Sequence, residues 1–310
     1  MELRRLALLL ELSRRGTIAA VAEALSYSHS SVSVSLSELE REAGVALLRR
    51  VGRNVELTTA GQRLVEHAQH ALAADEAIRA ELASVAGATG GRIRMTFVQT
   101  QAFALLPGTM ARLAAGAPDL QVRVRQVETA PALDQLRSHT VDLVVGVEYD
   151  ALPVSRRRED HRVDLFQEDV VLALHPAHPA LRHRGRLALA SFEDEGWATG
   201  FTGSGLHSYV RHVCNRFGGY EPRIDHRSDD GLVLSALAAS GRAVALLPAL
   251  LTTTIPEIAT RRVREAPLQR TIFTVTRRSA SAAPAVAAVR AALRDTAAEV
   301  ARERRAIRLC

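Results

Sequence analysis

The sequence predicts an α/β protein in three successive parts: an all-α amino-terminal unit, one long helix, and a carboxy-terminal domain of alternating strands and helices. Three observations predict it. Over residues 1–58, apolar residues recur at helical spacing between Ser, Thr and Gly punctuation. A near-heptad apolar stripe then runs from Leu64 to Val85. From Arg92 onward, short Val-, Leu- and Ile-rich runs alternate with helical patterns, which is how helices laid on a sheet read in sequence.

Composition sets the bounds. A chain of 310 residues is long enough for two or three compact units, and its 47% hydrophobic content fits a globular protein. No run of about 18 apolar residues predicts a membrane helix. The apolar stretch Leu6–Leu12 is short and broken by Glu11, which argues against a secretory signal, so a cytoplasmic location is expected. The net charge of +6 suits a polyanionic partner without establishing one. All 40 basic residues are arginine, yet eight arginines against seven glutamates leave residues 1–58 almost neutral. Placement therefore matters more than number. The two cysteines, Cys214 and Cys310, form neither a disulfide framework nor a metal-ligand pattern, and a reducing compartment is the simple reading.

In the first unit, Leu3, Leu6 and Leu10 share one face of a helix that Gly16 ends. Thr17 caps a second helix, whose buried face is Ile18, Val21, Ala22 and Leu25. Ser26-Tyr27-Ser28 makes a tight turn and Ser28 caps a third helix, where Val32, Leu36 and Leu39 recur at core spacing. The opposite face of that helix shows His29, Ser30, Ser33, Val34 and Ser37, side chains small or hydrogen-bonding enough to lie close in a DNA major groove. A short helix is expected after Gly44, followed by Leu47-Leu48 and a β-wing at Arg49-Arg50-Val51-Gly52-Arg53-Asn54. Arginines on a glycine turn suit phosphates, adding affinity without base choice.

Residues 1–61 resemble the winged helix-turn-helix of LysR-type transcriptional regulators. The likeness runs through Ala22, Leu25, Ser28, Val32, Ser33, Leu39-Glu40, Gly44, Leu47, Arg50, Gly52, Arg53 and Leu57-Thr58-Thr59-Ala60-Gly61. The resemblance implies a protein that reads double-stranded operator DNA, with Thr17, Ser28, His29, Ser30, Ser33, Val34, Ser37, Arg49, Arg50 and Arg53 as the expected contacts. Three positions depart from the family's common pattern: His29-Ser30 stands where Gln-Pro is frequent, Val34 where Arg is frequent, and Leu48 where Phe is frequent. Base preference therefore does not carry over from relatives.

Thr58 or Thr59 caps the long helix, which is expected to run to about Ala86 with Leu64, Ala68, Ala71, Leu72, Asp75, Ile78, Leu82 and Val85 along one stripe. About 28 residues make a rod of ~42 Å, too long to bury that stripe alone. Pairing with a second copy is the natural solution. The resemblance implies an antiparallel homodimer of such helices, assembled further into tetramers. Leu64, Ala68, Leu72, Ile78 and Leu82 are the expected dimerisation residues, and Gly87, Gly90 and Gly91 supply a hinge. The expected boundaries are 1–58 for DNA binding, 59–88 for the linker helix and hinge, and 89–310 for the remainder.

Strands are expected at Arg92–Val98, Leu120–Val127, Asp142–Val147, Val170–Leu174, Trp197–Thr199, Arg223–His226, Ala243–Leu247 and Thr271–Thr276. Helices are expected at Ala102–Ala115, Ala132–Ser138, Gly205–Phe217, Asp229–Ser240 and from about Ala285 to Arg305. Pro107 is tolerable only in a first turn. Residues 92–300 resemble the family's effector domain, two Rossmann-like lobes as in periplasmic binding proteins, through Leu106-Pro107, Pro118, Asp142-Leu143, His178-Pro179, Pro222 and the run Gly241 to Pro248. That likeness implies a first lobe over about 92–161 and 266–310 and a second over about 162–265, with a small-molecule effector between them.

Ligands of open α/β sheets sit beyond the carboxyl ends of strands. Here those ends supply Gln99, Thr100, Gln101, Phe103, Thr129, Val147, Thr202, Ser204, Ser228 and Asp229. Helix amino termini at Thr100–Phe103 and Ser204 favour a polar or anionic metabolite. No G-x-S-x-G elbow is present, and Gly200 to Gly205 does not match a dinucleotide fingerprint. His175 with His178, and His207 with His212, lack metal-ligand spacing. No enzyme, cofactor, metal or membrane contact is expected. Thiol-switch members of the family use two cysteines in the second lobe, where only Cys214 stands, so redox sensing is not expected. A contact with RNA polymerase follows only if the protein activates. The effector, the operator and the sign of regulation are not written in the residues.

Overall fold

The computed structural model describes the chain except for Ser26, Arg53, Ala88 and residues 253–257 and 304–306, and except for the side chains of Ala24 and Asn54. The chain divides into two units, residues 1–88 with Ser279–Pro284, and residues 89–278 with 285–310. No helix among the described residues is long and apolar enough to cross a membrane.

The first unit contains α1 (Leu3–Arg15), α2 (Ile18–Leu25), α3 (His29–Ala43), the strands β1 (Leu48–Val51) and β2 (Asn54–Leu57), and α4 (Thr59–Val85). Leu6, Leu9, Val21, Val32, Leu36, Leu39 and Leu47 form its core. Each such side chain contributes about 1.5–3 kcal/mol on leaving water. The short helix expected after Gly44 is absent. The chain turns directly into β1, because Glu40 Oε1 accepts the Leu47 and Leu48 amides, both at 2.9 Å, and draws the segment onto α3. Thr58, not Thr59, caps α4: its hydroxyl accepts from Gly61 N at 3.0 Å and donates to Ala46 O at 2.8 Å. A Cβ on Gly61 would stand 2.2 Å from Leu47 O, so only glycine lets α4 start this close to the wing.

The second unit contains β3 (Gly91–Phe97), α5 (Gln99–Gly116), β4 (Leu120–Gln126), α6 (Thr129–Arg137), β5 (Leu143–Tyr149), β6 (Asp160–Leu174), β7 (Gly196–Thr199), α7 (Gly205–Val213), β8 (Arg223–Arg227), α8 (Gly231–Ala239), β9 (Val244–Pro248), α9 (Ala249–Thr252), β10 (Ala259–Arg261), β11 (Gln269–Arg277), α10 (Pro284–Glu303) and β12 (Ile307–Leu309). The strand order is β4-β3-β5-β11-β6-β9-β7-β8, with β10 and β12 also paired to β6. β3 pairs in parallel with β4 and β5, and β7 with β8 and β9, so each lobe has its own parallel core. β6 joins them: Asp160–Asp169 pairs with β11 and Val170–Ala173 with β9.

Several elements differ from the sequence expectation. β6 is 15 residues long rather than the five of Val170–Leu174, and its polar first half is tolerated because its charges are paired. Glu168 meets Arg270 directly across the ladder, with Arg270 Nε donating to Glu168 Oε1 at 2.8 Å. Asp169 accepts from Arg308 at 2.9 Å and also pairs with Arg262. Along this strand the partner changes from β11 to β9 between Asp169 and Val170. α5 begins three residues earlier than expected, and Pro107 lies inside it, beyond the first turn. Proline there withholds one backbone bond, to Phe103, and both residues lie on the exposed side of α5. The α7 helix ends at Val213 and continues as one π-turn, Cys214–Gly218. β12, which follows α10, was not anticipated.

Candidate DNA interface and effector cleft

Ser28 caps α3 by accepting from Ser31 N at 3.1 Å, and its hydroxyl also meets that of Ser30 at 3.0 Å. Thr17 caps α2 by accepting from Ala20 N at 3.2 Å. Both hydroxyls hold helix starts. His29, Ser30, Val34 and Ser37 are exposed on α3, with Val34 at 58%, and Ser33 is half-buried beside them. An exposed valine among hydroxyls is costly in water but suits the thymine methyl in a groove. On the wing, Arg49 pairs with Glu56 across the two strands at 2.7 Å. Arg50 is exposed and makes no hydrogen bond or ion pair among the described residues. Arg53 lies outside the described residues.

The expected dimerisation residues separate into two groups. Ala68 is fully buried in the core of its own unit, and Leu64 packs against that core. α1 lies on the first half of α4 and already satisfies that face, so Ala68 is not free to meet a second copy. Leu72 is half-buried. Further along, Ile78 is 57% exposed, Leu82 64% and Val85 84%.

In the second unit a cavity of about 320 Å³ opens between the lobes. It is lined by Thr129, Val147 and Tyr149 from the first lobe and by Ser204 and Leu206 from the second. A smaller recess of about 40 Å³ adjoins it, with Gln99, Thr100, Asp229 and Arg270 in its walls. Glu128, Tyr149 and Ser204 belong to both. Of the ten residues expected in the cleft, six are in these walls. Gln101 instead points into the protein: it is fully buried, and its amide donates to Val98 O at 3.2 Å and accepts from Arg270 and Thr100, both at 3.0 Å. Phe103 is 63% exposed on α5, away from the cleft. Thr202 is exposed outside both cavities. Ser228 spends its hydroxyl accepting from Asp230 N at 3.0 Å.

The cleft floor is polar and closed. Arg270 donates to Glu168 and, at 2.7 Å, to Thr100 Oγ1, while Glu168 Oε2 accepts from Leu250 N at 3.0 Å. Gln99 Oε1 accepts from Gly231 N at 2.8 Å and its Nε2 donates to Asp230 Oδ1 at 2.8 Å, which holds the Asp230 carboxyl below its ordinary range. Thr129 Oγ1 accepts from Val147 N at 3.0 Å and fixes α6 to β5. Tyr149 stacks on Tyr209 with ring centroids 4.4 Å apart, one ring from each lobe. Burial, with Asp229 nearby, lifts the Glu128 carboxyl to about 7. A Cβ on Gly200 would stand 2.1 Å from Ser204 Oγ and 2.8 Å from Asp229 Oδ1, so both oxygens converge on a position that only glycine leaves open.

Comparison with known proteins agrees with both halves of this architecture. Residues 3–62 match the bacterial regulatory helix-turn-helix of the lysR family, and residues 86–298 match the LysR substrate binding domain. The chain belongs to the LysR family. It is a transcriptional regulator with an amino-terminal DNA-binding helix-turn-helix and a carboxy-terminal effector-binding domain, and not an enzyme. A probable hydrogen peroxide-inducible genes activator of Mycobacterium xenopi is 35% identical over 158 residues, covering 51% of this chain and 81% of that protein. Its counterpart in Mycobacterium leprae is 30% identical over 240 residues, 76% of this chain and 73% of that one. A full-length OxyR variant from Pseudomonas aeruginosa has the same fold, with a TM-score of 0.67 and 21% identity over 95% of both chains.

Within this LysR regulator, sequence reasoning missed Glu128, Tyr149, Glu168, Asp230 and Arg270. Two of them carried a signal. Glu128 directly precedes Thr129, and Arg270 is the first charge of a strand that is uncharged from there until Arg277. An arginine there needs a buried partner, and Glu168, just ahead of the run Val170–Leu174, is the one the fold provides.

Proposed function

We propose that two copies of this regulator read an operator together, each laying α3 in a major groove, and that a small molecule in the interlobe cleft changes how they hold it. Ser30, Ser33, Val34 and His29 face base edges in this reading. Arg50 holds phosphate, with Arg49 and Arg53 beside it. The observation that carries it is the juxtaposition, within one unit, of an exposed Ser/His/Val face on α3 and an arginine of the wing with no partner among the described residues.

The second half of α4 supplies the contact between copies through Ile78, Leu82 and Val85, whose exposure on one helix is unfavourable in water. Pairs of dimers then form a tetramer, and RNA polymerase becomes a partner if the protein activates. Gel shifts with the DNA upstream of its own and neighbouring genes test the reading. Retarded bands that shuffled competitor fails to remove support it, and equal competition by both DNAs defeats it.

The relatives' names raise peroxide as the cue. The thiol chemistry here speaks against it. Cys214 is fully buried, and burial pushes its thiol up to about 12, far from the thiolate that peroxide attacks. Burial raises the thiol of the second cysteine, Cys310, as well. A ligand bound without covalent chemistry fits the cleft better.

A further inference from the structure

The cleft carries unbalanced negative charge. Glu128 and Asp229 share the walls of the smaller recess, and Glu128 also lines the larger cavity. The basic side chains on those walls are already matched: Arg137 with Asp134 and Asp160, and Arg270 with Glu168. Neither Glu128 nor Asp229 has an ion-pair partner among the described residues. Asp229 is aimed by accepting from Phe201 N at 3.0 Å, and Ser204 Oγ stands with it over Gly200.

Two of the helix starts at the cleft, those of α7 and α8, already have side-chain acceptors. Ser204 Oγ accepts from His207 N at 3.2 Å at the head of α7. Asp230 Oδ1 accepts from Leu232 N at 2.8 Å, and Gln99 from Gly231 N, at the head of α8. α6 begins directly after Glu128, which places a carboxyl at its positive end. The expectation of a polar or anionic metabolite rested on the starts of α5, at Thr100–Phe103, and of α7, at Ser204; Ser204 caps α7, whereas α5 has no side-chain cap and its first turn shares the recess walls with Glu128 and Asp229. The larger cavity is mostly apolar, with Leu133, Val147, Leu152, Val154 and Leu206 in its walls beside the paired Asp134 and Arg137.

We propose that the effector is a small organic cation, a primary amine or guanidine on an apolar body. Its charged end lies beside Glu128 and Asp229, and its body enters the cavity walled by Leu133, Leu152 and Val154. This rests on the reading of the cleft as the effector site. Glu128 is faced by Asp229 from the loop before α8, by Arg270 from β11 and by Tyr149 from β5. A cation needs Glu128 ionised, so binding strengthens as pH rises through the Glu128 value of about 7.

The test is calorimetry on the full chain with two amines, phenethylamine and agmatine, against two carboxylates, phenylacetate and glutarate. At least one amine is expected to bind at about pH 8 and to lose about tenfold or more in affinity at pH 6. Glu128→Gln and Asp229→Asn should each weaken it about tenfold, both variants keeping a cooperative thermal transition. Leu133→Trp, which fills the cavity, should abolish it. Binding of a carboxylate but neither amine, abolished by Leu133→Trp, overturns the ligand class and leaves the cleft as the site. Amine binding untouched by Leu133→Trp, Glu128→Gln and Asp229→Asn overturns the site itself. No binding of any amine at about 10 mM, a free energy weaker than ~3 kcal/mol, also overturns the class.

Discussion

Gln99 Nε2 donates to Asp230 Oδ1 at 2.8 Å across the interlobe cleft. Gln99 opens α5 in one lobe and Asp230 caps α8 in the other, and the same amide accepts from Gly231 N. One side chain thus ties the lobes together. Gln99→Ala should raise hydrogen exchange at the Gly231 amide about fivefold, the equivalent of one net hydrogen bond of ~1 kcal/mol. Unchanged exchange would mean the bridge is idle in solution.

Glu128 makes stability depend on pH. Its carboxyl ordinarily titrates at 4.5 but at about 7 in the folded chain, so the fold holds that proton more tightly than the unfolded chain does. Stability is therefore lost as pH climbs between those values and is lowest above about 7. Glu128→Gln removes the loss. Its melting temperature should match the parent at about pH 4.5 and exceed it by a few degrees at about pH 8. Equal differences at both pH values would contradict this.

Assembly and folding should respond to different positions on α4. Ile78 and Leu82 are exposed, whereas Ala68 is sealed in the core beneath α1. Ile78→Glu with Leu82→Glu should yield a folded monomer by light scattering. Ala68→Leu should instead destabilise the first unit by about 1–3 kcal/mol through overpacking, without changing the assembly of the molecules that stay folded.

On the DNA face, Arg50 and Ser33 should fail differently. Arg50→Ala should weaken binding to every sequence and reduce the salt slope by about one unit. Ser33→Ala should change the preferred operator by roughly 1–3 kcal/mol at one base pair. Arg49→Ala should cost less than Arg50→Ala, because Arg49 already pairs with Glu56. Anisotropy titrations on operator and random duplexes separate the three.

Most of the architecture was legible because helix caps and apolar periodicity are local. Ser28, Thr58, Gly16 and Gly44 mark helix ends where the structure has them. The first half of β6 was not legible, because a strand reading Asp-His-Arg-Val-Asp gains its order from partners elsewhere in the fold: Asp160 pairs with Arg137, Arg162 with Glu148, and the His161 ring meets Arg290. Six of the ten proposed cleft residues follow from strand ends alone. The other four misled because a strand end fixes where the backbone is, not whether a side chain turns toward the cleft, as Gln101 and Phe103 show on consecutive turns of α5. The cleft's charge was invisible for the same reason: Glu128, Asp229 and Arg270 meet only in three dimensions.

The most direct test of the regulatory account is a competition titration of the full chain on the DNA upstream of its own gene, with a shuffled duplex of equal length at physiological salt. Specific recognition by α3 predicts a preference of at least about 10³-fold for the native sequence. Equal affinity for the two duplexes would contradict it.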